Sequence, residues 1–93
     1  MRIVGDIEHP RLKITVFKND GRFSLKFENG LLEQTYKFRD DQRLTTVDDV
    51  KSIVDQSFTE KIEEILRGMH EAKMDAMSRN LPSLDDAEFP KII

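Results

Sequence analysis

Two periods divide the chain. From Leu12 to Arg39 apolar and polar side chains alternate, as on a strand with one buried face, and from Thr45 to Asn80 the apolar ones return at steps of three and four, as on one face of a helix. Leu12, Ile14 and Val16 alternate with Lys13, Thr15 and Phe17; Phe23, Leu25 and Phe27 alternate with Ser24, Lys26 and Glu28. Asp20-Gly21 separates these runs and Asn29-Gly30 leads into Leu31 to Arg39, so two two-residue hairpins are predicted. Turns at those dipeptides set Val16 opposite Leu25, Ile14 opposite Phe27, Phe27 opposite Leu32 and Phe23 opposite Tyr36. Gln34 is then the polar exception on the apolar face. Arg2 to Glu8 reads as a less regular strand, with Gly5 inside it and His9-Pro10 after it. The expected strands are about 2–8, 11–18, 22–29 and 31–39.

The helical stripe comprises Val47, Val50, Ile53, Val54, Phe58, Ile62, Ile65, Leu66, Met69, Ala72, Ala76 and Met77, with Asp, Glu, Lys and Arg between them. Thr45 or Thr46 is the expected N-cap, with Asp48 or Asp49 completing a capping box. Arg79 in the last turn, Asn80 as a left-handed stop and Pro82 beyond it predict the other end. Ser57 with Glu60 offers a second start, and Gly68 costs about 1 kcal/mol against Ala inside a helix. Because the stripe stays in phase through both, one helix over about 46–79 is predicted. The fold class is therefore α+β: a three- or four-stranded antiparallel meander packed against one long C-terminal helix, in a single domain over 1–80 with a C-terminal tail over 81–93.

Length then raises a question of function. A helix of roughly 33 residues is about 50 Å long, whereas strands of about 8 residues span about 27 Å. A sheet of that size covers half the rod, so its distal apolar residues need a partner. The expectation is a homodimer in which Ile62, Ile65, Leu66, Met69, Ala72, Ala76 and Met77 form the self-association surface. The chain reads as a noncatalytic interaction or adaptor protein.

Composition narrows the chemistry. There is no cysteine, hence no disulfide, thiolate metal site or cysteine nucleophile, and a cytoplasmic setting is expected. The apolar runs are too short for a membrane span, and Met1 to Pro10 lacks the apolar core of a signal peptide, so no membrane partner is expected. His9 precedes a proline and His70 falls on the polar side of the helix, with Arg67 and Met74 as its helical neighbours, so neither reads as a metal ligand. The doublets Asp40-Asp41, Asp48-Asp49 and Asp85-Asp86 suit a loop, a helix N-terminus and a tail. No phosphate-loop, dinucleotide, zinc-protease or nucleophile-elbow motif is present, and no catalytic residue, metal or cofactor is expected.

Charge is uneven: residues 1–44 hold nine basic and seven acidic side chains, residues 45–93 six and eleven. The outward sheet face gathers Arg11, Lys13, Arg22, Lys26, Lys37 and Arg39 around the ring of Phe17, an arrangement that suits single-stranded nucleic acid. The order of antiparallel strands and one long helix is similar in topology to the PUR repeat, a single-strand nucleic-acid module that dimerises. Against it, the register sets Lys13 opposite Glu28 and Lys26 opposite Glu33, and the pI is about 5.3. Nucleic acid is the alternative partner, after a second copy of the chain and an unidentified protein.

Overall fold

A computed structural model describes residues 1–39 and 43–81. Four strands, β1 (Arg2–Ile7), β2 (Lys13–Asn19), β3 (Arg22–Asn29) and β4 (Leu32–Lys37), form an antiparallel meander in the order β1-β2-β3-β4. Two helices follow, α1 (Val47–Ser52) and α2 (Gln56–Asn80). The α+β meander with a long C-terminal helix is as the periodicity predicts. The Asp40-Asp41 and Asp85-Asp86 doublets, Pro82 and the tail from residue 82 lie outside the described residues.

The first hairpin has the expected register, Val16 opposite Leu25 and Ile14 opposite Phe27. Its turn residues Asp20 and Gly21 both have positive φ, +53° and +80°, as a type I′ turn requires. The second hairpin differs from expectation. Asn29 pairs with Leu32, Phe27 with Gln34 and Leu25 with Tyr36, so the turn is Gly30-Leu31 rather than Asn29-Gly30. Gly30 has φ +61° and Leu31 does not have positive φ, the pattern of a type II′ turn with glycine at its first central position. β1 also departs from simple alternation. A bulge between Ile3 and Gly5 puts Ile3 opposite Phe17 on the outer face and Gly5 opposite Val16 on the inner one. A Cβ at Gly5 would stand 3.1 Å from Val47 Cγ1, so the glycine lets α1 lie close on β1.

The predicted single helix over 46–79 is two helices. Thr46 is the N-cap of α1, and a full capping box joins it to Asp49. The Asp49 carboxylate accepts from Thr45 N and Thr46 N at 3.0 and 2.9 Å, which holds its pKa below the ordinary carboxylate value. α1 then tightens, with Ile53 N donating to Val50 O and Val54 N to Lys51 O. Asp55, not Ser57, restarts the chain: its backbone is extended, and its Oδ1 accepts from Phe58 N at 2.8 Å. The β-branched pair Ile53-Val54 before a strong N-cap residue is the local reason for the break.

One core results. Leu12, Ile14, Val16, Phe23, Leu25 and Phe27 of the sheet bury against Val50 of α1 and Ile62 and Leu66 of α2. Phe27, Tyr36 and Phe58 form a three-ring cluster with centroids 5.3 to 5.9 Å apart, all edge-to-face. Gln34, the inward polar residue, is satisfied twice: Nε2 donates to Ile62 O at 3.0 Å, and Oε1 accepts from the Tyr36 hydroxyl at 2.9 Å. These contacts set the direction of α2, which runs antiparallel to β4 and leaves the sheet past the Gly30-Leu31 turn.

Candidate self-association surface and outer sheet face

Met69 is the last residue of α2 packed against the core. The eleven residues from His70 to Asn80 carry the helix about 16 Å further. Of the seven residues expected at a self-association surface, Ile62 is 0% and Leu66 5% exposed. Both belong to the intrachain core, a correction with a simple cause: the break at Ile53–Asp55 shortens the rod, so the sheet reaches further along it. Met69 is half-buried, Ile65 is 46% and Met77 42% exposed, Ala72 is exposed and Ala76 half-buried. Met74, which the sequence pattern left out, is 46% exposed.

At about 100° per residue these do not form one stripe. Ile65 and Ala72 share a direction and Ala76 lies about 40° on, whereas Met77 is about 140° round from Ala72. The flank that Ile65 occupies can be placed against the sheet. Glu63, two residues back and about 200° round, faces the β1–β2 side. Its carboxylate accepts from Arg11 Nε at 2.6 Å and Arg11 Nη2 at 3.1 Å, and His9 Nε2 stands 3.9 Å away. Ile65 and Ala72 therefore face the opposite way, Ile65 over the edge of β4 and Ala72 beyond it.

The Arg11 bidentate bond is the first cause of the lowered Glu63 pKa. It also takes Arg11 off the outer sheet face, where the sequence had put it. His9 does structural work in the β1–β2 turn: its Nδ1 accepts from Arg11 N and Leu12 N at 3.1 and 3.2 Å, so the ring proton is on Nε2, toward Glu63.

On the outer face Phe17 is half-buried beside the exposed Ile3, with Lys37 two strands away across Ser24. Lys26 lies opposite Thr35, not Glu33, and its Nζ sits 3.7 Å from Glu28 and 3.5 Å from Glu33. Arg22 is engaged in an interaction of its own. Lys13, opposite Glu28, Lys37 and Arg39 remain without an ion pair among the described residues. The face is thus mixed in charge rather than a continuous basic track.

A groove of about 560 Å³ runs between Asn29–Leu32 and the α2 residues Glu63, Leu66, Arg67 and His70. It holds one imidazole, His70, which makes no side-chain hydrogen bond or ion pair among the described residues. Among those residues no three His, Asp or Glu side chains converge as a metal site. No described helix is long and apolar enough to cross a membrane. Compared with known proteins, the chain matches no protein-family model, no curated protein and no solved structure.

Proposed function

We propose that this chain is a noncatalytic interaction protein that works as a homodimer, with the Ile65 flank of α2 in the interface. The observation that supports it is the placement of Ile65: it is 46% exposed on a helix whose opposite flank is tied to Arg11 and whose end projects past the sheet. A helix end meant for water does not need an Ile, two Ala and two Met in eleven to thirteen residues. A second copy suits this surface because Glu71, Lys73, Asp75 and Arg79 balance, leaving the projecting segment without net charge to repel its duplicate.

Covering the exposed half of Ile65 contributes about 1 kcal/mol per copy, so the helix flank alone supports a weak dimer. Sedimentation velocity at tens of micromolar tests the reading. Wild type sediments as a dimer, Ile65→Asp as a folded monomer, and Glu64→Ala, exposed and among the described residues paired with Lys61 alone, as a dimer. A monomeric wild type refutes it.

A further inference from the structure

The sheet has two edges, and they are treated differently. β1 is broken by the bulge at Ile3/Gly5, a device that spoils an edge for further pairing. β4 has no bulge and no proline, and its pairing to β3 is regular from Leu32 to Lys37. Its open backbone groups can be assigned from the ladder. Phe38 N donates to Phe23 O at 3.0 Å, so Phe23 and Phe38 are a hydrogen-bonded pair, and in an antiparallel ladder such pairs alternate with non-bonded ones. Tyr36, Gln34 and Leu32 therefore point their N–H and C=O groups at β3. Glu33, Thr35 and Lys37 point theirs outward, at the open edge.

We propose that β4 pairs with β4 of a second copy about a two-fold axis at Thr35, joining two sheets into one of eight strands. Antiparallel self-pairing centred on Thr35 sets Thr35 against Thr35, Glu33 against the other copy's Lys37, and Lys37 against its Glu33. These are the residues whose backbone groups face outward, so all three positions on each strand form hydrogen-bonded pairs, six bonds in total. The same register places opposite charges across the junction twice. No other centre within the strand does both: moving it to Gln34 or Tyr36 still pairs outward-pointing residues but sets Glu33 or Lys37 against Thr35, and moving it to Glu33 or Lys37 sets like charges together at the axis. Lys37 has no ion pair among the described residues, and Glu33, opposite Glu28, is more than half exposed with Lys26 Nζ 3.5 Å away.

The helix agrees with the strand. Because Ile65 lies on the β4 flank of α2, edge pairing brings the two α2 helices side by side on one face of the joined sheet, running in opposite directions. Thr35 lies level with Phe58 to Ile62, so the axis passes near Lys61, already paired with Glu64 at 3.6 Å, and Ile65 meets the first turn of the other copy's α2. The inference rests on the homodimer proposed above and names the strand and register that form it.

Charge reversal gives the test, with sedimentation equilibrium and native mass spectrometry as readouts. Glu33→Lys puts lysine against Lys37, and Lys37→Glu puts glutamate against Glu33; each variant self-associates about tenfold more weakly than wild type. Mixed in equal amounts, the two variants restore both opposite-charge pairs and form a heterodimer tighter than either homodimer. Thr35→Pro removes an outward N–H that no bond among the described residues uses, so it gives a monomer with an unchanged circular dichroism spectrum. A mixture that associates no better than its components overturns the register, whatever the fate of the proline variant. A dimer that survives Thr35→Pro but not Ile65→Asp overturns β4 pairing and leaves association through α2 standing; a monomeric wild type overturns both.

Discussion

Ile62 and Ile65 are neighbours on one helix with opposite fates, and truncating each to alanine separates core from surface. Ile62 is fully buried, between the Phe27 side of the sheet and the Gln34 amide that caps its carbonyl. Ile62→Ala removes three buried carbons at about 0.8 kcal/mol each, near 2.4 kcal/mol, before any cavity term. With a void left under α2 the loss falls within the range of about 2 to 5 kcal/mol seen for buried Ile→Ala changes. A 93-residue chain at about 0.05 to 0.15 kcal/mol per residue has between about 5 and 14 kcal/mol to lose, so the variant is near the limit of folding. Ile65→Ala gives up about 1 kcal/mol or less within one chain, because nearly half of the side chain already meets water and no cavity forms. Urea titrations followed by circular dichroism at two protein concentrations a hundredfold apart measure both. Wild type gains stability with concentration, as a dimer must. Ile62→Ala lowers the midpoint at both concentrations, and Ile65→Ala mainly abolishes the difference between them. If Ile65→Ala costs as much as Ile62→Ala and does so equally at both concentrations, Ile65 is part of the monomer's core and the proposed interface is wrong.

Two glycines have opposite expected outcomes. Gly30→Ala forces a Cβ onto φ +61° and costs about 1 to 2 kcal/mol in a urea melt, whereas Gly68→Ala, in open space inside α2, stabilises by about 1 kcal/mol. A Gly30→Ala variant as stable as wild type would contradict the turn assignment. Thr46→Ala lowers stability by about 1 kcal/mol through loss of the α1 cap, with no effect on sedimentation. Glu63 and Asp49 have depressed carboxyl pKa values, so each contributes stability that is present above the ordinary carboxylate value and lost as pH falls through the depressed one. Titration by NMR gives Glu63 a value below 4.5 that rises in Arg11→Ala; an unchanged value would mean that the bidentate bond is absent in solution. On the outer face, three cations without ion pairs support a salt dependence of at most about two log units of affinity per log unit of salt for single strands, and a steeper slope would revive the nucleic-acid reading.

The inner face of the sheet was legible although the second register was not, and the reason is arithmetic. Moving the turn from Asn29-Gly30 to Gly30-Leu31 slides β4 by two residues along β3, and a slide of two preserves which side chains face inward. Leu32, Gln34, Tyr36 and Phe38 therefore stay on the core side under either turn, and only their partners change. Both dipeptides contain a glycine able to take positive φ, so turn chemistry alone did not choose between types I′ and II′. The bulge in β1 had a weak signal in Gly5, but its effect depends on α1 lying against that glycine, a contact 42 residues away in sequence that no local pattern encodes.

The helix break hid for a related reason. Val50 of α1 and Ile62 of α2 serve the same core, so the apolar phase continues across Ile53–Asp55 even though the hydrogen-bond ladder does not. Periodicity reports which residues face the core, not whether one rod carries them there. That distinction moved Ile62 and Leu66 from expected interface to core, and it sharpened the site rather than removing it. With the core's share taken out, Ile65 is left beside the one regular sheet edge, with Ala72 and Ala76 on the same flank of the projecting end. Their position was unreadable from the sequence: the burial of Ile62 and Leu66 fixes the rotation of α2 about its axis, and the Arg11–Glu63 bond on one flank shows which side Ile65 faces away from. An ion pair that is too exposed to stabilise the fold by much still reports which flank of the helix meets the β1–β2 side and which is left toward β4.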